Sequence, residues 1–249
     1  MHKLRLDQID RRKCAALLGE IETTSGPASR NRTRSILSSL FSWCVAEGLV
    51  EINPVTGTAK AIENGSRERV LTQDELRELW RSLGDDRFSD IVRLLLLTGQ
   101  RRTEIGKLQW NEIDLGRGMI VLAPDRTKNS RLHEVPLSRQ AKAVLERLPR
   151  RNTTEFLFGK RGFPDWGGAK QELDQRLGIA PWRIHDLRRT CATQMSELGV
   201  LPHIVETVLN HVSGHKAGVA GVYNRSKMSD AVREALQRWA DYLDQITSA

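Results

Sequence analysis

Apolar residues recur at three- and four-residue spacing along most of the chain, the pattern of helices that bury one face. From Leu4 to about Val55 this period places Ile36, Leu37, Leu40, Phe41, Cys44 and Val45 on one side of a helical stretch. Gly48 ends it and Asn53-Pro54 marks a turn. The stretch from Thr58 to Arg69 has no period and holds Gly65, Ser66 and several charges, as a linker would. At Thr72-Gln73-Asp74-Glu75 a capping box opens a helix carrying Leu76, Leu79 and Leu83. Further helices are predicted over about Arg87 to Thr98, stopped by Gly99, and over Arg102 to Leu108.

Two short β-rich runs, Met119 to Leu122 and Leu132 to Pro136, flank the polar Thr127-Lys128-Asn129-Ser130 and predict a hairpin. Helical spacing then resumes around Ala141 to Leu148, Lys170 to Leu177, Ile184 to Leu198, His203 to Leu209 and Ser229 to Ile246. The predicted fold is mainly α with a small antiparallel β-sheet, in two domains. No internal repeat or low-complexity tract interrupts it.

Composition narrows the partner. The chain of 249 residues holds 39 Lys and Arg against 31 Asp and Glu, a net charge of +8 that favours polyanions, nucleic acid first. Residues 1–58 carry eight basic and six acidic side chains, net +2, which leaves +6 for the remainder. Arg30, Asn31, Arg32 and Arg34 head the best amino-terminal helix, where they serve either as phosphate contacts or as a solvated helix start. Three widely spaced cysteines form no CxxC pair, which suits a reducing cytosol, and no apolar run approaches the length of a membrane span.

The chemistry gathers at five places. His185 and Arg188 are three apart on the helix whose apolar stripe is Ile184, Leu187, Cys191 and Met195. A lone HxxR is more often a surface pair. Thr98-Gly99-Gln100-Arg101-Arg102-Thr103-Glu104 puts an arginine and a carboxylate at a helix-to-helix corner, a pattern that on its own is commonly a surface ion pair. Lys128 lies at or near the hairpin tip, and Leu209-Asn210-His211 ends a helix. Tyr223 follows the small-residue run Ala217 to Gly221, which lets a side chain approach a ligand; the other tyrosine, Tyr242, lies beside an apolar stripe of Leu236, Trp239, Leu243 and Ile246.

In this order Arg101, Lys128, His185-x-x-Arg188, His211 and Tyr223 resemble the tyrosine recombinase, or phage integrase, family across essentially the whole chain. Arg101-Arg102, Leu209-Asn210-His211-Val212 and Gly221-Val222-Tyr223-Asn224-Arg225 are similar to integrases of prophages and genomic islands. Phe41 to Val45 and Asn53-Pro54 are similar to the end of their core-binding domain. The resemblance implies a helical core-binding domain over 1–58, a linker over 59–70 and a catalytic domain over 71–249. The amino-terminal arm-binding domain usual in that subgroup is expected to be lacking, and the gap from His211 to Tyr223 is longer than in many recombinases.

It also implies the chemistry. Tyr223 attacks a phosphodiester, Arg101 and Arg188 stabilise the charge that develops, and His185 accepts or organises the proton. Lys128 protonates the leaving 5′-oxygen, His211 hydrogen-bonds the phosphate, and Glu104 orients its neighbours. The implied partners are double-stranded DNA, three further copies of the chain on paired DNA sites, and a host DNA-bending protein. No cofactor and no metal is implied: the competing zinc reading of His211, His215 and His185 lacks a carboxylate in Val212-Ser213-Gly214. Two alternatives keep the fold: a catalytically silent DNA-binding remnant, and a nicking and rejoining enzyme of topoisomerase type.

Overall fold

The structure is a computed structural model that describes residues 4–63, 65, 68–150, 154–211 and 225–248. It divides into two compact units, Met1–Arg67 and Glu68–Ala249.

The first unit is a pair of helices, α1 (Arg11–Ser25) and α2 (Pro27–Ala46). The continuous helical pattern is split at Gly26, which takes φ +82°, and Pro27 starts the new helix where a missing N–H costs nothing. Asp10 caps α1 by accepting from the Lys13 N–H at 2.8 Å. The Asn53 side chain pins the predicted turn to α2, donating to Ser38 O and Ser42 Oγ, each at 2.9 Å, and accepting from the Val55 N–H. Cys14, Phe41 and Val55 form a small core.

The apolar stripe foreseen on α2 is only partly buried. Phe41 and Cys44 are covered, whereas Ile36 is 61% exposed and Leu40 46%. A single helix–helix seam is narrower than the stripe, so its flanks stay open.

The second unit begins with α3 (Gln73–Arg81), opened by the expected capping box: Thr72 Oγ1 accepts from the Glu75 N–H and Glu75 Oε2 from the Thr72 N–H. Next come α4 (Arg87–Thr98) and α5 (Arg102–Gly106). Then follow β1 (Ile113–Asp114), β2 (Met119–Leu122) and β3 (His133–Pro136), paired antiparallel in the order β1-β2-β3 with Ile120 opposite Val135. The helices α6 (Arg139–Glu146), α7 (Trp166–Gln175), α8 (Ile184–Glu197), α9 (Pro202–Val208) and α10 (Arg225–Ser248) complete it. The mainly helical class with a small antiparallel sheet is as expected. Strand β1 is too short for a periodic signal, and α7 starts four residues before its predicted Lys170 because Trp166-Gly167-Gly168 does not read as helix.

The central helix is α4, buried from Phe88 to Thr98 except at Arg93. Arg93 interrupts the apolar run without breaking the core, because its guanidinium reaches Leu83 O, Gly84 O and Asp90. Trp239 of α10 is fully buried and donates its indole N–H to Leu96 O at 2.8 Å. Gly99 ends α4 in the left-handed region at φ +65°, and a Cβ there would meet Cys191 Sγ at 3.0 Å and Leu209 Cδ2 at 3.2 Å. The glycine therefore supplies both the turn and the close approach of α8 and α9. No helix among the described residues is long and apolar enough to cross a membrane.

Candidate active site

The corner after Gly99 carries Arg101 as the N-cap of α5. Glu104, itself 1% exposed, holds that residue at both ends: Oε2 accepts from the Arg101 N–H and Oε1 from its guanidinium, each at 2.8 Å. The ion pair weighed as a surface feature is thus a buried anchor.

Arg188 on α8 is only 4% exposed. Its guanidinium donates to Gly99 O at 2.7 Å and to Leu209 O, carbonyls at the carboxy-terminal ends of α4 and α9. Helix carboxy-termini carry partial negative charge, so a cation there is favoured. Burial and the neighbouring Arg101 cation still bring the Arg188 pKa down to about 10, with Glu104 opposing, which leaves the group charged at neutral pH.

Helix α9 ends in a Schellman-type turn: Asn210 N–H donates to Thr207 O and His211 N–H to Glu206 O. Asn210 takes φ +47°, which asparagine tolerates better than most residues, and this turn places His211 after the helix. His185 is exposed on the first turn of α8. Partial burial lowers its pKa, as do Arg189 and Arg188, while Asp186 opposes. His211 is lowered by partial burial and then by Arg188 and Arg101, against Glu206.

Both imidazoles therefore have pKa values lowered from the usual histidine value near 6.5. As pH falls, the unfolded chain takes up these protons first, so stability present near neutrality is lost on acidification from about 6.5 toward the folded values. The thermal midpoint is expected to drop across that window, and to drop less in the double variant His185→Gln/His211→Gln. Equal drops in both proteins would remove the two histidines from this account.

Lys128 is exposed in the connection between β2 and β3. The loop that carries it is tethered on both sides. Arg126 donates to Glu112 Oε1 at 2.6 Å and to Lys107 O at 2.8 Å, and Asn129 bonds Asn210. Tyr223 and His215 lie outside the described residues. The structure thus brings together Arg101, Glu104, Arg188, His185 and His211, with the Lys128 loop joined to them through Asn129. A surface cavity of about 930 Å³ is lined by residues that include Arg117, Arg139, Arg233 and Tyr242 and by none of these groups.

Three of the four amino-terminal residues weighed as phosphate contacts make bonds inside the first unit. Arg30 pairs with Glu22 and donates to Ala59 O; Asn31 exchanges bonds with Ala61 and reaches Glu63 Oε1; Arg34 donates to Thr58 O and Oγ1. They hold segment 58–63 along α2. Arg32 is exposed.

Sequence reasoning passed over Gln100, which is 1% exposed and donates to Thr98 O and Val208 O while His133 Nε2 meets its Oε1 at 2.9 Å. It also assigned no role to Arg126, Asn129 or Asn210. The one local signal was their place in polar runs beside Arg101, Lys128 and His211.

The phage integrase family model matches residues 69–230, a span that holds Arg101, Lys128, His185, Arg188, His211 and Tyr223. The prophage integrase IntA of Escherichia coli (strain K12) is 31% identical over 205 residues, 78% of this chain and 49% of its own length. The shufflon-specific DNA recombinase of Escherichia coli is 34% identical over 208 residues, 80% and 52%. The chain spans about half the length of these curated relatives. Among solved structures, a lambda integrase tetramer bound to a Holliday junction is similar at a TM-score of 0.65 and 21% identity, covering 86% of this chain and 67% of that chain. At that identity the likeness is one of fold.

Proposed function

Since the chain belongs to the phage integrase family, we propose that it is a site-specific DNA recombinase that cuts and rejoins strands through a 3′-phosphotyrosine at Tyr223. The observation that carries this reading is the pairing of Arg101 and Arg188. Two guanidiniums are held near each other, Arg101 by the buried carboxylate of Glu104 and Arg188 by two backbone carbonyls, beside two imidazoles whose pKa values are lowered. A phosphodiester supplies an anion for this pair, and guanidinium forks match its oxygens.

In the proposed reaction the Tyr223 oxygen forms a bond to phosphorus as the bond from phosphorus to the 5′-oxygen breaks. The phenol, with an ordinary pKa of about 10, passes its proton toward His185. The 5′-oxygen takes a proton from Lys128 and leaves as a hydroxyl. Arg101 and Arg188 meet charge on the non-bridging oxygens, His211 donates its one N–H, and Glu104 keeps Arg101 in place. Rejoining reverses these steps with a 5′-hydroxyl from another strand, so no ATP and no metal enters the scheme.

Duplex DNA is the proposed substrate, with the first unit as core-binding domain and Arg32 as its exposed phosphate contact. A homotetramer on paired sites agrees with the assembly of the lambda integrase relative. A host DNA-bending partner and a cytosolic setting belong to the same proposal.

The test is covalent capture. The protein is incubated in EDTA with a nicked duplex bearing the attachment site beside its gene, after footprinting has shown specific binding. The expected product is a protein–DNA adduct, mapped by digestion and mass spectrometry to Tyr223. An adduct elsewhere, a strict need for divalent metal, or no adduct on a bound site would each overturn the reading, the last in favour of a silent DNA-binding protein.

A further inference from the structure

The loop that presents Lys128 is closed onto the arginine cluster by a reciprocal pair of side-chain amides. Asn129 Nδ2 donates to Asn210 Oδ1 at 2.8 Å and to Asn210 O at 3.1 Å, and Asn210 Nδ2 donates back to Asn129 Oδ1 at 3.2 Å. The same Asn210 carbonyl lies 3.5 Å from Arg101 Nη2. One oxygen thus connects the lysine loop, the arginine and the turn that precedes His211. Lys128 and Ser130, on either side of Asn129, are exposed.

We propose that Asn129 and Asn210 are positioning residues: their clasp docks the Lys128 loop on the site and sets the ammonium where it can protonate the leaving 5′-oxygen. The inference rests on the general-acid reading of Lys128 and adds a device that the reading does not contain. Arg126 secures the loop before Lys128 through Glu112 and the α5 carbonyls, and the clasp secures it after, so the lysine sits in a short span held at both ends. Loss of one tether leaves the loop free to leave the site. Neutral hydrogen bonds of ordinary strength bias docking by on the order of tenfold to a hundredfold. Two amides suit this purpose because they offer matched donors and acceptors without adding charge beside Lys128 and Arg101.

The test separates proton delivery from every other step. Cleavage is timed in single turnover on two attachment-site duplexes that differ only at the scissile phosphate, one with the natural 5′-oxygen and one with a bridging 5′-sulfur. A thiol, with a pKa of about 8.5, leaves without a proton donor. Asn129→Ala and Asn210→Gly are compared with wild type, the glycine keeping the positive φ at 210. Each is expected to lose about tenfold on the natural duplex and almost nothing on the sulfur duplex, with the double variant no worse than either single one.

Normal cleavage of the sulfur duplex also shows that each variant is folded. Lys128→Ala is run beside them. If sulfur restores Lys128→Ala but not the asparagine variants, the clasp does not act through the lysine and the proposal is overturned. If sulfur fails to restore Lys128→Ala, the general-acid reading itself is wrong and the clasp proposal falls with it. Wild-type rates for both asparagine variants on the natural duplex overturn the clasp alone.

Discussion

Tyr223→Phe is expected to eliminate covalent attachment to DNA while leaving duplex affinity unchanged. The substitution removes one oxygen and keeps the ring, so the nucleophile is lost and little else. The chain has one other tyrosine, and it is occupied structurally: the Tyr242 hydroxyl accepts from Gln73 Nε2 at 2.5 Å, and its ring lies 6.2 Å from that of Trp239. Tyr242→Phe should therefore retain full adduct formation with a modest loss of stability. The measurement is adduct yield on the nicked attachment-site duplex, with affinity read in parallel by gel shift. Residual adduct in Tyr223→Phe that disappears in Tyr242→Phe would move the nucleophile to Tyr242 and overturn the assignment.

Arg188→Lys is expected to lower cleavage by about a hundredfold or more, the usual loss for a preorganised donor to a transition-state oxyanion. Lysine keeps the charge but not the planar fork that now serves two backbone carbonyls. Arg188→Ala should go further and weaken the fold, because Gly99 O and Leu209 O would lose their partner in a nearly closed site, at about 1–3 kcal/mol for each buried group left unsatisfied. The two effects are separated by single-turnover cleavage and by denaturant midpoints. Arg101→Lys offers a contrast, since its side chain is 19% exposed and anchored by Glu104, so catalysis should suffer more than stability. Wild-type cleavage by Arg188→Lys would reduce this arginine to a structural strut.

What the sequence made legible was local. The Thr72 capping box, the Gly99 stop and the three-residue spacing of His185 and Arg188 each express chemistry within one helical turn, and each is found where it was expected. What escaped it was non-local. The burial of Arg188 depends on carbonyls at residues 99 and 209, and the Asn129–Asn210 clasp joins positions 81 apart. Nothing near Arg30 or Arg34 in the sequence announces that their donors are taken by residues 58 and 59. The apolar stripe on α2 misled for a related reason, since a period shows that one face is apolar but not whether a neighbour exists to cover all of it. Tyr223 remains a residue identified by motif, lying outside the described residues.

The cysteines give each unit its own clock. Cys14 and Cys44 are sealed in the first unit, and Cys191 lies under Gly99 in the second, its thiol pushed up to about 12 by burial against the opposing pull of Arg188. A thiol so protected offers almost no thiolate to an alkylating reagent, and the reagent has no path to it while the helices stay packed. Reaction at Cys191 then counts the moments when α8 parts from the α4 corner, which are also the moments when Arg188 leaves its two carbonyls. The rate at which that sulfur is labelled becomes a measure of how long the arginine pair survives intact between openings.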